Sequence, residues 1–236
     1  MQRYKNLLLL GTSHISIVSI SEVKSSIMEN EPKIIALELD RPRFNALIYK
    51  KRGKSFIRDI RHIGFKGFLF NIIGAYIEKK LGKLTGVSPG DEMKAAVKLA
   101  FERKLEIALI DQDIRLTLRN ISRRMTWREK LRFIMEILTT GLFGSKLKIN
   151  LSKVPSKEVI RKLTAQLRKK YPSLYTSLIE DRNKIMAKRL YTLMATNKKI
   201  LAIVGAGHED EIISLIKQQK GDSKSRLDLL KPKPSI

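Results

Sequence analysis

The chain has 236 residues, with 48 Lys and Arg against 23 Asp and Glu, and a formal charge of +25. Hydrophobic residues at 43% suffice for a packed core and exclude a wholly disordered polyelectrolyte. Cysteine is absent, which excludes a disulfide scaffold, a thiol nucleophile and Cys-ligated metal; imidazole chemistry is left to His14, His62 and His208.

In chain order, four nearly continuous apolar runs read as buried strands: Asn6–Leu10, Lys33–Leu37, Glu106–Ile110 and Ile200–Val204. Helical patterns lie between them. Ser21 to Glu31 opens on a capping-type Ser, and Arg41 to Arg52 has Asp40 for an N-cap and Pro42 in its first turn. Ser88-Pro89-Gly90-Asp91 starts a helix whose apolar positions are Met93, Ala96, Val97 and Ala100. The alternation predicts an α/β fold with a central, largely parallel or mixed sheet flanked by helices.

Between the third and fourth strands lie roughly ninety residues of helical sequence, long enough for an insertion. Thr126 and Glu129 form a capping box, after which Leu131, Ile134, Met135 and Leu138 recur at helical spacing. A second helix spans Ser156 to Lys169, and a third runs from Pro172 toward Ala195. Residues 1–220 are read as a single domain, with 113–196 mainly the helical insertion and 221–236 a disordered tail.

The run Leu7–Leu10 breaks off at Gly11, too early for a signal-peptide core, and no stretch has the length and apolarity of a membrane span. A cytoplasmic protein is expected. The segment from Phe65 to Ile77, bracketed by Arg58, Arg61, Lys66, Lys79, Lys80 and Lys83, reads as a core helix or as an element lying on an anionic membrane surface. Nucleic acid ranks below both as a partner. The charge is dispersed, no basic arm or zinc-finger spacing is present, and aromatics are only 6%.

The first strand runs into Gly11-Thr12-Ser13-His14 and the last into Gly205-Ala206-Gly207-His208, so two of the three histidines share a Gly-x-x-His context. The second strand ends in Glu38-Leu39-Asp40 and the third in Asp111-Gln112-Asp113. In an open α/β sheet the binding crevice lies beyond the carboxyl ends of the strands, where these groups would meet. Two imidazoles with carboxylates suit a divalent ion, or acid/base chemistry without one. The alternative is local: Asp at a strand end caps the next helix, the expectation for Asp40, and a His after a turn bonds backbone. His62 has no motif and is read as structural or exposed.

Gly11–His14, Glu38–Asp40, Gly86-Val87-Ser88-Pro89-Gly90-Asp91-Glu92-Met93, Leu109–Ile114, Asp181-Arg182-Asn183-Lys184-Ile185-Met186 and Gly205–His208, in that order, resemble the motifs of the TraB/PrgY pheromone-shutdown family, its archaeal members above all. The wider superfamily includes the TIKI metalloproteases and erythromycin-esterase-like and ChaN-like proteins. The likeness implies a divalent-metal-dependent hydrolytic site, the ion being Mn, Co or Zn. Carried onto this sequence, it implies His14, Glu38 and His208 as metal ligands. Glu38, Arg182 and Asn183 become catalytic, and Glu92, Asp111 and Asp181 supporting. The expected substrate is a peptide or related amide or ester. The competing expectation is a regulator at the membrane surface that sequesters a peptide or small molecule without turning it over.

Overall fold

A computed structural model describes residues 1–12, 17–49, 90–140 and 157–229. Five strands form one sheet in the order β1-β2-β5-β3-β4: β1 Gln2–Tyr4, β2 Leu7–Thr12, β3 Ile34–Leu37, β4 Glu106–Leu109 and β5 Ile200–Gly205. β2, β5, β3 and β4 are parallel neighbours, and β1 adds to the edge antiparallel, so the sheet is mixed. All four predicted strands are present. β1 was not predicted: three residues, Gln-Arg-Tyr, carry no apolar run, and the turn into β2 uses Lys5 at φ 52°.

Covering on both faces explains the unbroken apolar runs. Leu7, Leu9, Ile34, Ala36, Ala202 and Val204 face α8 (Asp181–Met194) and α9 (Glu209–Leu229), which contribute Met186, Leu190 and Ile212. Leu8, Leu10, Ile35, Leu37, Leu201 and Ile203 face α1 (Ile17–Asn30) and α3 (Asp91–Glu102), which contribute Val23, Ile27, Met93 and Ala96. Each such side chain taken from water stabilises the fold by roughly 1.5–3 kcal/mol before entropy is counted.

α1 begins at Ile17, so Ser21 is an exposed interior residue and not a cap. Asp40 does cap α2 (Arg41–Ile48): its Oδ1 accepts from the Arg43 N–H at 2.8 Å. Between β4 and β5 come α4 (Ile114–Arg124), α5 (Trp127–Thr140), α6 (Lys157–Lys170), α7 (Pro172–Tyr175), a π-turn at Thr176–Glu180, and α8. The single third helix expected after Pro172 is thus broken by the π-turn, whose extra residue no periodicity shows. The capping box at α5 forms as expected, but Leu131 and Met135 are exposed. The buried face instead presents Glu129 and Phe133, and the Phe133 ring meets Tyr171 edge-on at 5.6 Å in a cluster with Ile121, Met125 and Leu174. The polar partners of Glu129 decide which face turns inward.

Among the described residues no helix is long and apolar enough to cross a membrane. The segment from Phe65 to Ile77, like His62 and residues 86–89, lies outside them.

Candidate functional site

β2, β5 and β3 end side by side. Thr12 pairs with Gly205 and Leu37 with Ile203, so the chain leaves three parallel strands at one level. Both Gly-x-x-His motifs start here, from adjacent strands, and the Ala206 N–H donates to the Thr12 carbonyl at 2.8 Å. This approach explains Gly11: a Cβ there would stand 2.9 Å from Glu209 Oε2 and 3.1 Å from Ala206 Cα. His14 itself, two residues past Thr12, lies outside the described residues.

Glu38 follows β3 and turns toward the α8 layer. It is only 7% exposed. Its Oε2 accepts from the Gly205 N–H at 2.6 Å, which ties the ends of β3 and β5 together. Its Oε1 accepts from Arg182 Nη2 and also faces His208 Nε2 at 3.5 Å. Asp111, past the end of β4, takes Arg182 as a fork: Nε donates to Oδ1 at 2.9 Å and Nη2 to Oδ2 at 2.7 Å. Nη1 donates to the Leu178 carbonyl at 3.2 Å. Four of the five guanidinium N–H groups therefore serve protein acceptors. Burial alone would lower the Arg182 pKa, but the Glu38 and Asp111 carboxylates outweigh it and push it above its ordinary value. The cation is permanent.

Around this core stand residues that sequence reasoning missed. Arg43 donates to Asp111 and pairs with Asp40 at 3.2 Å, while Asp40 Oδ2 accepts from the Ile114 N–H at 2.8 Å and joins α2 to α4. Arg189 donates to the Asp111 carbonyl. Its position seven residues after Arg182, two helical turns on the same face, was the available signal. Asp113 is a cap and not a site residue: its Oδ1 accepts from the Arg115 N–H at 2.7 Å.

Asn183 is fully buried and connects two groups. Its Nδ2 donates to Glu211 Oε2 at 2.7 Å, so its Oδ1 is the acceptor facing His208 Nδ1 at 2.6 Å. By this pattern Nδ1 carries a proton toward Asn183, and Nε2 is the ring nitrogen that faces Glu38. Asn183 thus bridges His208 and Glu211, one bond through each end of its amide. Arg182 holds Glu38 and Asp111 together.

The supporting residues divide. Asp111 joins the cluster. Asp181 does not: one residue from Arg182 its side chain turns about 100° around the helix, where it meets Arg124 and, at 3.4 Å, Asn120. Glu92 is buried in the first turn of α3, in the layer opposite Arg182.

Arg182 and Arg43 pair with the three carboxylates Glu38, Asp40 and Asp111. The 3.5 Å between His208 Nε2 and Glu38 Oε1 suits two ligands of one small divalent ion, which lie about 3–3.5 Å apart when each bond is about 2.0–2.2 Å. The Nδ1–H bond to Asn183 is the outer support that a ligand histidine usually has. Among the described residues no group of three His, Asp or Glu side chains converges to hold an ion. The pair supplies two of the ligands that such an ion would need.

A sequence model of the TraB/PrgY/gumN family matches residues 3–221. An uncharacterized protein of Methanocaldococcus jannaschii is 35% identical over 229 residues, covering 95% of this chain. The chain spans 57% of that relative's length, little more than half.

Proposed function

The chain belongs to the TraB/PrgY/gumN family, and from the geometry at its sheet edge we propose that it is a divalent-metal-dependent hydrolase of peptides or related amides and esters. One observation supports the reading: the imidazole of His208, held through Nδ1 by Asn183, turns Nε2 toward the buried carboxylate of Glu38 at 3.5 Å. His208 and Glu38 would hold the ion together with His14. When bound, the ion polarises the scissile carbonyl and supplies an activated water at neutral pH.

The residues of the chain do the rest. Glu38 would serve either as a ligand of the ion or as the base that accepts a proton from an attacking water. Arg182 fixes the carboxylate in place through its fork to Asp111, so Glu38 reorganises little as charge moves. The Gly205 N–H holds the other carboxylate oxygen, which keeps the rotamer single. Asn183 sets the tautomer of His208.

The test is turnover. Metal-loaded protein incubated with a random peptide pool should yield new fragments by mass spectrometry, at a rate about 100-fold or more lower in Glu38→Ala. Retention of intact peptides by wild type and Glu38→Ala alike, with no fragments from either, would instead support capture without turnover.

A further inference from the structure

Next in sequence to His208, a hollow of about 170 Å³ opens between the Ala206–Gly207 loop and the wall made by Arg161 and Thr164 of α6, Tyr175 and Ile179. Its floor is Glu211, the residue that shares Asn183 with His208. The other charged lining residues, Arg161 and Asp210, pair with each other at 3.0 Å, and Asp210 also accepts from Gln2 at 2.6 Å. Glu211 is different. Its carboxylate is bonded by the neutral Asn183 amide, and among the described residues no Lys, Arg or His nitrogen stands within ion-pair distance of it.

A carboxylate with no ion pair among the described residues stands out in a chain of charge +25. The hollow also has an aromatic wall. Burial, then the nearby Glu211, push the Tyr175 hydroxyl above its ordinary pKa despite the Arg168 guanidinium over its ring at 5.4 Å. A neutral ring beside a carboxylate is the pairing that receives an ammonium or guanidinium group.

Resting on the hydrolase reading, we propose that this hollow is the specificity pocket of the same site. It takes a cationic group of a peptide substrate, an α-amino terminus or a Lys or Arg side chain, onto Glu211. Because Glu211 and His208 are bonded to opposite ends of one amide, a cation held on Glu211 presents the adjoining backbone at His208. Asn183 then couples recognition to chemistry: the side chain that orients the imidazole also holds the carboxylate that selects the substrate.

The experiment is equilibrium retention, followed by mass spectrometry, of four hexapeptide pools: amino termini free or acetylated, Lys and Arg present or absent. Wild type, Glu38→Ala and Glu211→Gln are compared. Glu211→Gln keeps an oxygen for Asn183 and removes only the charge, and a matched melting temperature confirms its fold. Wild type and Glu38→Ala should retain cationic pools at least tenfold over the acetylated pool without Lys and Arg, and Glu211→Gln should lose that preference. The pool that stands out separates terminus from side chain. Since the chain is strongly basic, non-specific attraction cannot produce this result. Equal retention of charged and neutral pools, no retention of any pool, or an undiminished preference in Glu211→Gln would overturn the proposal. Fragments formed without charge preference would sink only this inference; charge-selective retention without fragments would sink only the hydrolase reading.

Discussion

Arg182 sits where two carboxylates would otherwise confront each other in a nearly water-free site, so its removal leaves buried charge uncompensated. Arg182→Met should cost about 3–5 kcal/mol in urea unfolding. Arg182→Lys should recover only part of it, because a single ammonium cannot make the fork to Asp111 and reach Glu38 as well. A loss below about 1 kcal/mol in Arg182→Met would mean that the ion pairs behave like exposed ones and do not hold the site. At this scale the sequence is readable where a residue's position along a strand decides its place: Glu38, Asp111 and His208 each follow a strand, and all three reach the same edge. It is not readable where the partner lies far along the chain. Nothing near Arg43 announces Asp111, and nothing near Glu211 announces Asn183. Asp181, adjacent to Arg182 in sequence, turns away to Arg124, since neighbours on a helix face different directions.

Among the elements, α5 has the most explicit local code. Burial alone would raise the Glu129 pKa. Its bonds from the Thr126 N–H at 2.9 Å, the Thr126 hydroxyl at 3.1 Å, the Ser173 N–H at 3.1 Å and the Ser173 hydroxyl at 2.8 Å outweigh that and lower it. A carboxylate depressed in the folded state contributes stability that is fully present above its unfolded pKa and is lost as pH falls through the folded value. Unfolding free energy measured from pH 6 down to pH 2 should therefore fall less steeply in Glu129→Gln than in wild type, and the two curves should converge at the acid end. Parallel curves would show that the charged form is not what the cap stabilises. The capping box is legible because its partners are three residues apart. Ser173, which joins α7 to α5, is not, and neither is the π-turn: helix periodicity continues through Thr176–Glu180, and only tertiary packing inserts the extra residue. β1 escapes for the opposite reason. Its three residues are too few to show an alternation, and they pair antiparallel to β2.

For the molecule as a whole, two helical layers close a sheet whose central strand, β5, is the last in sequence. That late insertion places Gly205 beside Thr12 and between the ends of β2 and β3, so that residues 11–12, 38 and 205–208 belong to one edge. The strand runs, the mixed α/β class and the Gly-x-x-His repeat were legible because buried parallel strands write their apolar pattern locally. The strand order was not, because it depends on which strand fills the gap last. The central claim is that His208 and Glu38 are two ligands of one divalent ion. Isothermal titration of Mn, Co and Zn into metal-stripped, tag-free protein tests it most directly, with Glu38→Ala, His208→Ala and Asn183→Ala alongside. The account predicts one ion per chain in wild type, no binding in Glu38→Ala or His208→Ala, and affinity lowered roughly 10–100-fold in Asn183→Ala, where the imidazole loses its support. Failure of wild type to bind any of the three ions, or binding undiminished in His208→Ala, would contradict it.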